Sequence, residues 1–428
     1  MQVVRSGIVG LNLFFGACIA ACGSSQASGP PDDPEAHYLE VEAWLSAGPE
    51  RQAMDALIEV FRRRDPEIQV LSDEYYIPAR SLELDQRFAM HVPPDSLRVI
   101  DGIDTGQWIN QDVLASLDVA SATDGWSAVF PKQVLDSVSG KGSLYGVPLD
   151  IERDNTLFFD KAIFADNGLS PPTTVADVLA AAAALSAKGT TALSMSGAGW
   201  AVASTLFESV LVAEAGPDFY EAYLTGQLAP DAQEMQVALA DLAKLADYAD
   251  PDLATTNWGD ATLRFCNGQT AMLVMPDFVK MEFAAAGCFD AAKIGYVTLE
   301  PPETPTFVFL GLGFVVPREA AHQVNGVQFV RAVGSREGQA AFNLLKSTVP
   351  ARIDVDMSGF DFVSIAEAAD YRAAGEHLVL GYAGLTPSNF QDAVNPALAH
   401  FVDSTSADYK NIDAVLAVLR SNYALLKR

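Results

Sequence analysis

The chain has 428 residues, more than one small fold needs and enough for two or three domains at roughly 100 to 200 residues each. Half of its residues are hydrophobic and 19% are charged, which excludes disorder as the dominant state. With 55 acidic residues against 27 Lys and Arg, a formal net charge of -28, it lacks the cations that a nucleic-acid surface or a polybasic hold on anionic lipid requires.

In chain order the first element is apolar. After Arg5, the stretch from Gly7 to Ala21, interrupted by Asn12, has the size of a signal-peptide core and falls short of the roughly 20 residues that span a bilayer. It closes in Ile19-Ala20-Ala21-Cys22, which resembles the bacterial lipoprotein cleavage box: an aliphatic residue, two small ones, then the cysteine that takes lipid and becomes the new terminus. An ordinary cleavage site beside a chance cysteine is the competing reading. Residues 1–21 are thus expected to be a lipoprotein signal peptide, Cys22 the lipidation site, and 22–37, rich in Ser, Gly, Pro and Asp, a flexible tether. Removal of Arg5 with that segment leaves the mature chain slightly more acidic. If Cys22 carries lipid, Cys266 and Cys288 are the pair left to form a disulfide in an oxidising compartment, with two buried thiols as the alternative. No His stands near either at ligand spacing, so no zinc or other metal is expected.

Leu39, Val41 and Ala43 alternate with Glu40 and Glu42, the period of a strand with one polar face. Met54, Leu57, Ile58 and Phe61 then fall on one face of a helix from about Glu50 to Arg64, stopped by Asp65-Pro66. Ile68 and Val70 open a second strand, completing a βαβ unit and pointing to a mostly parallel sheet with covering helices. Further helices are expected at Val175–Lys188, opened by Thr174 and Asp177 as a capping pair, at Met235–Leu245, and at Val327–Leu345. No short-period repeat interrupts this pattern. The fold class is α/β in two lobes.

An ordered set of segments resembles the extracellular solute-binding proteins, family 1, of ATP-driven sugar importers, and most of all their glucose-binding branch. It begins with Trp44 to Glu50 and Pro93-Pro94-Asp95-Ser96, then Tyr145-Gly146-Val147-Pro148 running to Asn155-Thr156-Leu157-Phe158-Phe159-Asp160-Lys161. Gly168 to Thr173, Trp258-Gly259-Asp260-Ala261, Gly268 to Met272 and Pro276-Asp277-Phe278 follow. Gly334 to Gln339 leads to Phe342 to Lys346 and Val349 to Asp356. The resemblance implies a two-lobe periplasmic-binding-protein fold of type II, with mixed sheets covered by helices and three hinge crossings near 147–155, 307–314 and 347–353. One lobe would comprise 38–148 plus 312–346, the other 149–311 plus 347–428. It further implies a monomeric, exported substrate-binding lipoprotein, free of cofactor, anchored to a bacterial membrane, that captures a mono- or small oligosaccharide and delivers it to the permease subunits of an ABC importer.

Sugar hydroxyls call for paired donors and acceptors, and their C–H faces for a flat aromatic ring. Trp44, Trp200 and Trp258 are candidate stacking platforms, each weighed against a place in the core. Asn155 and Lys346 match family positions facing the cleft; Asp277 and Glu50 are further candidates, with helix capping and helix-dipole roles as alternatives. Arg352 reads either as a ligand contact or as a hinge ion-pair partner. The chain departs from the family at several glucose-contacting positions: Glu152-Arg153-Asp154-Asn155 replaces His-Arg-x-Asn, Val99-Ile100-Asp101-Gly102 replaces Val-His-Ala-Gly, and Leu312-Gly313 stands where an Asp is usual. Asp101, Asp104, Glu152 and Asp154 are therefore expected to supply new carboxylates to the cleft or to lie at its rim, and the ligand to differ from plain glucose. A transport-inactive sensor and a carboxylate-dependent glycan hydrolase are the rival readings.

Overall fold

The computed structural model describes residues 37–45, 48–72, 80–250 and 252–427. The expected signal segment, Cys22 and nearly all of the tether lie outside them, as does the side chain of Asp104. No helix among the described residues is long and apolar enough to cross a membrane.

The βαβ unit forms as the pattern predicts. Strands β1 (Tyr38–Glu42) and β2 (Gln69–Ser72) pair in parallel, with Leu39 opposite Val70, and the helix Gly48–Arg64 between them buries Met54, Leu57, Ile58 and Phe61. A helix over Arg80–Ala89 then carries the chain to β3 (Ser96–Ile100), which pairs with the other edge of β1. After the short hairpin β4 (Ser139–Gly140) and β5 (Ser143–Leu144), β6 (Gly146–Arg153) enters the same sheet. β7 (Thr156–Asp160), β8 (Thr191–Ser194), β9 (Thr270–Val274) and β10 (Ile294–Thr298) build a second sheet, in the order β10-β7-β9-β8. The chain then returns to the first sheet as β11 (Phe307–Val315), β12 (Val349–Pro350) and β13 (Leu378–Leu380). The first sheet runs β12-β6-β11-β3-β1-β2, with β13 beside β11.

Each sheet has its own core. Leu39, Phe61, Trp126, Leu149, Phe314, Phe329 and Phe342 belong to one; Leu157, Phe207, Tyr220, Leu239, Met272, Phe390 and Phe401 belong to the other. The strands of the second sheet are apolar on both faces, so Phe158 and Leu273 join a third cluster with Phe265 and Phe283. The helix Val175–Ser186 opens on the expected capping box of Thr174 and Asp177. The stretch read as one helix over Val327–Leu345 is two, Gln323–Val333 and Arg336–Lys346. Ser335 breaks it: its hydroxyl accepts from the Gly338 N–H and caps a new helix.

The passages between the sheets are short. Asp154 and Asn155 join β6 to β7, residues 299–306 join β10 to β11, and Gly381 leads from β13 back to helices packed on the second core. Against the expected limits, 149–153 and 307–311 continue strands of the first sheet, and 349–378 packs with the first core through Val349, Val355, Ala368, Tyr371 and Leu378. The third passage consequently falls at Gly381 rather than near residue 350. Apolar burial by the helix Phe362–Ala373 decides this, and its weak periodicity did not signal which core it would join.

Candidate functional site

Strand alternation creates the centre of the site. Val147, Leu149 and Ile151 of β6 enter the first core, so Asp150 and Glu152 point to the opposite face, and the same parity continues into Asp154. Lys346, at the end of the helix Arg336–Lys346 and four residues beyond the core residue Phe342, reaches both carboxylates: its Nζ lies 2.8 Å from Asp150 Oδ2 and also contacts Glu152 Oε1. All three are buried. Burial pushes the Glu152 carboxyl up to about 7, Lys346 pulling it down and Asp150 adding to the rise. Arg98 of β3 stacks over Trp44 with its guanidinium carbon 4.8 Å from the ring centroid.

Asp101 follows β3 and is fully buried, its backbone N–H donating to Gly311 O. Its carboxylate occupies a niche that exists because β11 has glycines there: a Cβ on Gly311 would stand 2.6 Å from Asp101 Oδ2, and one on Gly313 2.7 Å from Oδ1. Neither carboxylate oxygen has a hydrogen-bond partner among the described residues. Burial first, and then the charge of Asp150, hold this carboxyl well above the usual carboxylate range, with Arg98 opposing.

The polar surface continues through the first passage into the second lobe. Gly381 is the common neighbour of Asp154 and Glu208, since a Cβ there would stand 2.5 Å from Asp154 Oδ2 and 3.2 Å from Glu208 Oε1. Glu208 accepts from Tyr220 OH at 2.5 Å and from the Tyr382 N–H at 2.9 Å, while its other oxygen and Asp154 Oδ2 lack partners among the described residues. Burial pushes Glu208 up to about 8, partly offset by those two donors. Asp154 is raised well above its usual range by burial, then by Glu208, Glu152 and Asp277. A cavity of about 680 Å³ opens beside this belt, bounded by Gly102, Gly106, Phe309 and Leu380 on one side and Glu221 on the other.

A second set of buried charges ties the lobes. Lys280 Nζ lies 2.8 Å from Asp277 Oδ2 and 2.5 Å from Glu367 Oε2, all three side chains being fully buried. Lys280 and Asp277 belong to the side of the third cluster, whereas Glu367 sits on the helix that packs with the first core. Asp277 Oδ1 also accepts from the Arg153 N–H. The Arg153 guanidinium donates to Asp370, Glu300, Thr306 O and Asn155, and lies 4.4 Å over the Phe307 ring.

The structure thus brings Lys346, Glu152 and Asp101 into one belt, with Trp44 joined to it through Arg98. Glu50, in the first turn of its helix, is close enough to act on Lys346 from the first lobe and on Glu282 from the second. Asp277 borders the belt but is committed to Lys280 and the Arg153 backbone. Asn155 is a fastener: its amide donates to Leu299 O and Thr306 O and accepts from Val308 N–H and Arg153, so it holds two passages together instead of facing a cleft. Trp258 packs edge-on against Phe278, next to Asp277, with ring centroids 5.4 Å apart. Trp200 is 40% exposed and follows Gly199, which abuts Asn395, the acceptor of Tyr382 OH. Arg352 makes a bidentate ion pair with Asp354 and donates to Gly334 O. Cys266 and Cys288 form a disulfide beside the third cluster.

Sequence reading missed Arg98, Asp150, Glu208, Lys280 and Glu367. Two of them carried a signal: Asp150 shares the strand parity of Glu152, and Glu208 is a lone carboxylate in the apolar run Val202 to Val212.

Two α/β lobes joined by short passages, with a buried polar belt between them, define a protein of the solute-binding class. Residues 89–364 match the family described as bacterial extracellular solute-binding protein, and the chain belongs to that family. An ABC transporter extracellular-binding protein of Pyrococcus horikoshii is 25% identical over 413 residues, 94% of this chain and 92% of its own. A probable sugar-binding periplasmic protein of Brucella suis is 27% identical over 369 residues, 83% of this chain and 85% of its own. Among solved structures, a bacterial solute receptor with exclusive preference for β-D-galactopyranose superposes with a TM-score of 0.78 at 15% identity, covering 91% of this chain and 99% of the other. A chitin oligosaccharide binding protein gives 0.76 at 19% identity, covering 90% and 99%. These two likenesses establish the two-lobe fold.

Proposed function

We propose that the protein is the substrate-binding component of an ABC importer, which captures a mono- or small oligosaccharide between its lobes and delivers it to a membrane permease. The observation that carries this reading is the belt itself. Lys346, Glu152, Asp150 and Asp101 come from the first lobe, Glu208 and Tyr382 from the side of the second, and Trp44 and Arg98 close one end. Donors, acceptors and an aromatic face in one enclosed place suit a sugar. The sugar-binding names of the relatives agree with it. Ligand touching both lobes binds the closed state better than the open one, and so drives closure. Trp258 and Trp200 are further stacking platforms at the second lobe's edge. The chain is exported and held to the membrane by lipid on Cys22.

The test is a thermal-shift screen of mono- and oligosaccharides followed by calorimetry, since a ligand of the folded state raises its apparent stability. The expected result is one-to-one binding with compaction in small-angle scattering and no turnover of the sugar. Saturating ligand without compaction sinks the capture cycle, and turnover moves the protein to the hydrolase reading.

A further inference from the structure

Among the described residues, the belt holds five buried carboxyl side chains, Asp101, Asp150, Glu152, Asp154 and Glu208, and two buried cations, Arg98 and Lys346. Lys346 is spent on Asp150 and Glu152. Arg98 is stacked on Trp44, and its charge reaches Asp101 and Glu152. Asp101, Asp154 and Glu208 make no ion pair among the described residues. Five oxygens are left without a hydrogen-bond partner: both of Asp101, and one each of Asp150, Asp154 and Glu208.

A buried acceptor that meets no donor is costly, and buried negative charge without a counter-charge more so. Neutral hydroxyls would satisfy the acceptors but leave these carboxyls in the protonated form that burial favours, whereas a cation supplies the counter-charge with which they ionise. From this excess, and resting on the proposed sugar-binding reading, we infer that the ligand is a sugar bearing a protonated amine, with the ammonium group received by the Asp101 end of the belt. Asp101 is the receiving group because Gly311 and Gly313 fix its carboxylate from one side without bonding to it, so its acceptor capacity stays open. The groups facing it are Asp150 and Arg98, with Tyr371 OH nearby but donating to Ala351 O. In the free protein burial and the charge of Asp150 favour the protonated form of Asp101, and burial raises Glu208 to about 8. Arrival of an ammonium stabilises the carboxylate, so a carboxyl proton passes to the buffer as the ion pair forms.

The experiment is titration calorimetry of the full mature chain with matched sugars: glucosamine, galactosamine and chitosan di- and trisaccharides, against glucose, galactose, cellobiose and the N-acetylated forms. Each is measured in phosphate and in Tris, whose ionisation enthalpies differ. The expected result is that one amine binds roughly tenfold or more tightly than its hydroxyl and N-acetyl counterparts, the usual advantage of a charged over a neutral hydrogen bond. Its apparent enthalpy should differ between the buffers, reporting proton release. Asp101→Asn, close to isosteric with the protonated acid, should bring the amine-to-hydroxyl ratio toward one and abolish the buffer dependence; a merely structural role would weaken both ligands alike. If that variant does not fold, Glu208→Gln is read the same way, with a partial loss of the ratio expected. Equal or tighter binding of the neutral sugar overturns this inference and leaves sugar capture standing. Failure of every saccharide to bind overturns both.

Discussion

The two buried charge networks between the lobes differ in one respect. In the brace, every carboxylate touches a cation: Asp277 and Glu367 meet Lys280, while Glu300 and Asp370 meet Arg153. In the belt, Asp101, Asp154 and Glu208 meet none among the described residues, although they are as deeply buried as Asp277 and Glu367; Glu300 and Asp370, at the outer end of the brace, reach toward solvent. A paired set resists separation because parting it strands charges in a low dielectric. An unpaired set has no such hold, and holds protons or waits for a donor from outside. The brace therefore fastens the lobes, and the belt, the proposed ligand site, keeps carboxyl oxygens that the described residues do not satisfy.

The largest test of this contrast removes a cation from the brace. Lys280→Met leaves Asp277 and Glu367 buried together, and unfolding in urea should show a loss of about 3–5 kcal/mol. A loss as small as that of a surface pair would break the comparison. The next probes the belt itself, where the third passage crosses it. Gly381 has an ordinary φ of -70°, so Gly381→Ala acts not through backbone strain but by driving a methyl onto Asp154, Glu208 and the Phe309 carbonyl. A loss of about 1–3 kcal/mol is expected, with expansion in small-angle scattering as the wedge parts the lobes.

The pH dependence of Glu208 gives a smaller effect of definite sign. Its folded value is raised to about 8 from an ordinary 4.5, so the folded state binds more protons than the unfolded chain between those values. That contribution is complete below 4.5 and is lost as the pH rises through about 8. Thermal melts should therefore show the wild type losing stability from pH 5 to pH 8 more steeply than Glu208→Gln, the two curves diverging by several degrees at roughly 2–4 °C per kcal/mol. Parallel curves would place the titrating group elsewhere. Smallest of all is Lys132→Ala, which removes the exposed pair with Asp136 and should move the melting temperature by less than about 2 °C.

The same contrast explains what could be read in advance. That Lys346 would stand near Glu152 and Asp101 was legible, Lys346 from the ordered motifs and the two carboxylates as departures from the family; that they would be buried together was not. Asn155 shared those motifs, yet its amide serves the backbone of two passages, a use no motif distinguishes from ligand contact. Glu367 lies on a helix whose neighbours in sequence say nothing of Lys280, 87 residues away. Trp258 came with those motifs and Trp200 as an aromatic beside a glycine, but their distance from the belt depends on how the lobes meet.

By itself the sequence determined the βαβ start, the capped helix at Val175 and the acidity of the chain, because these follow from the period of apolar residues and from composition; the two-lobe class came with the ordered motifs of the resemblance. Only the tertiary structure decided which core claims residues 349–378 and which buried carboxylates find a cation. Both outcomes depend on burial and pairing between segments far apart in the chain. No local pattern encodes them.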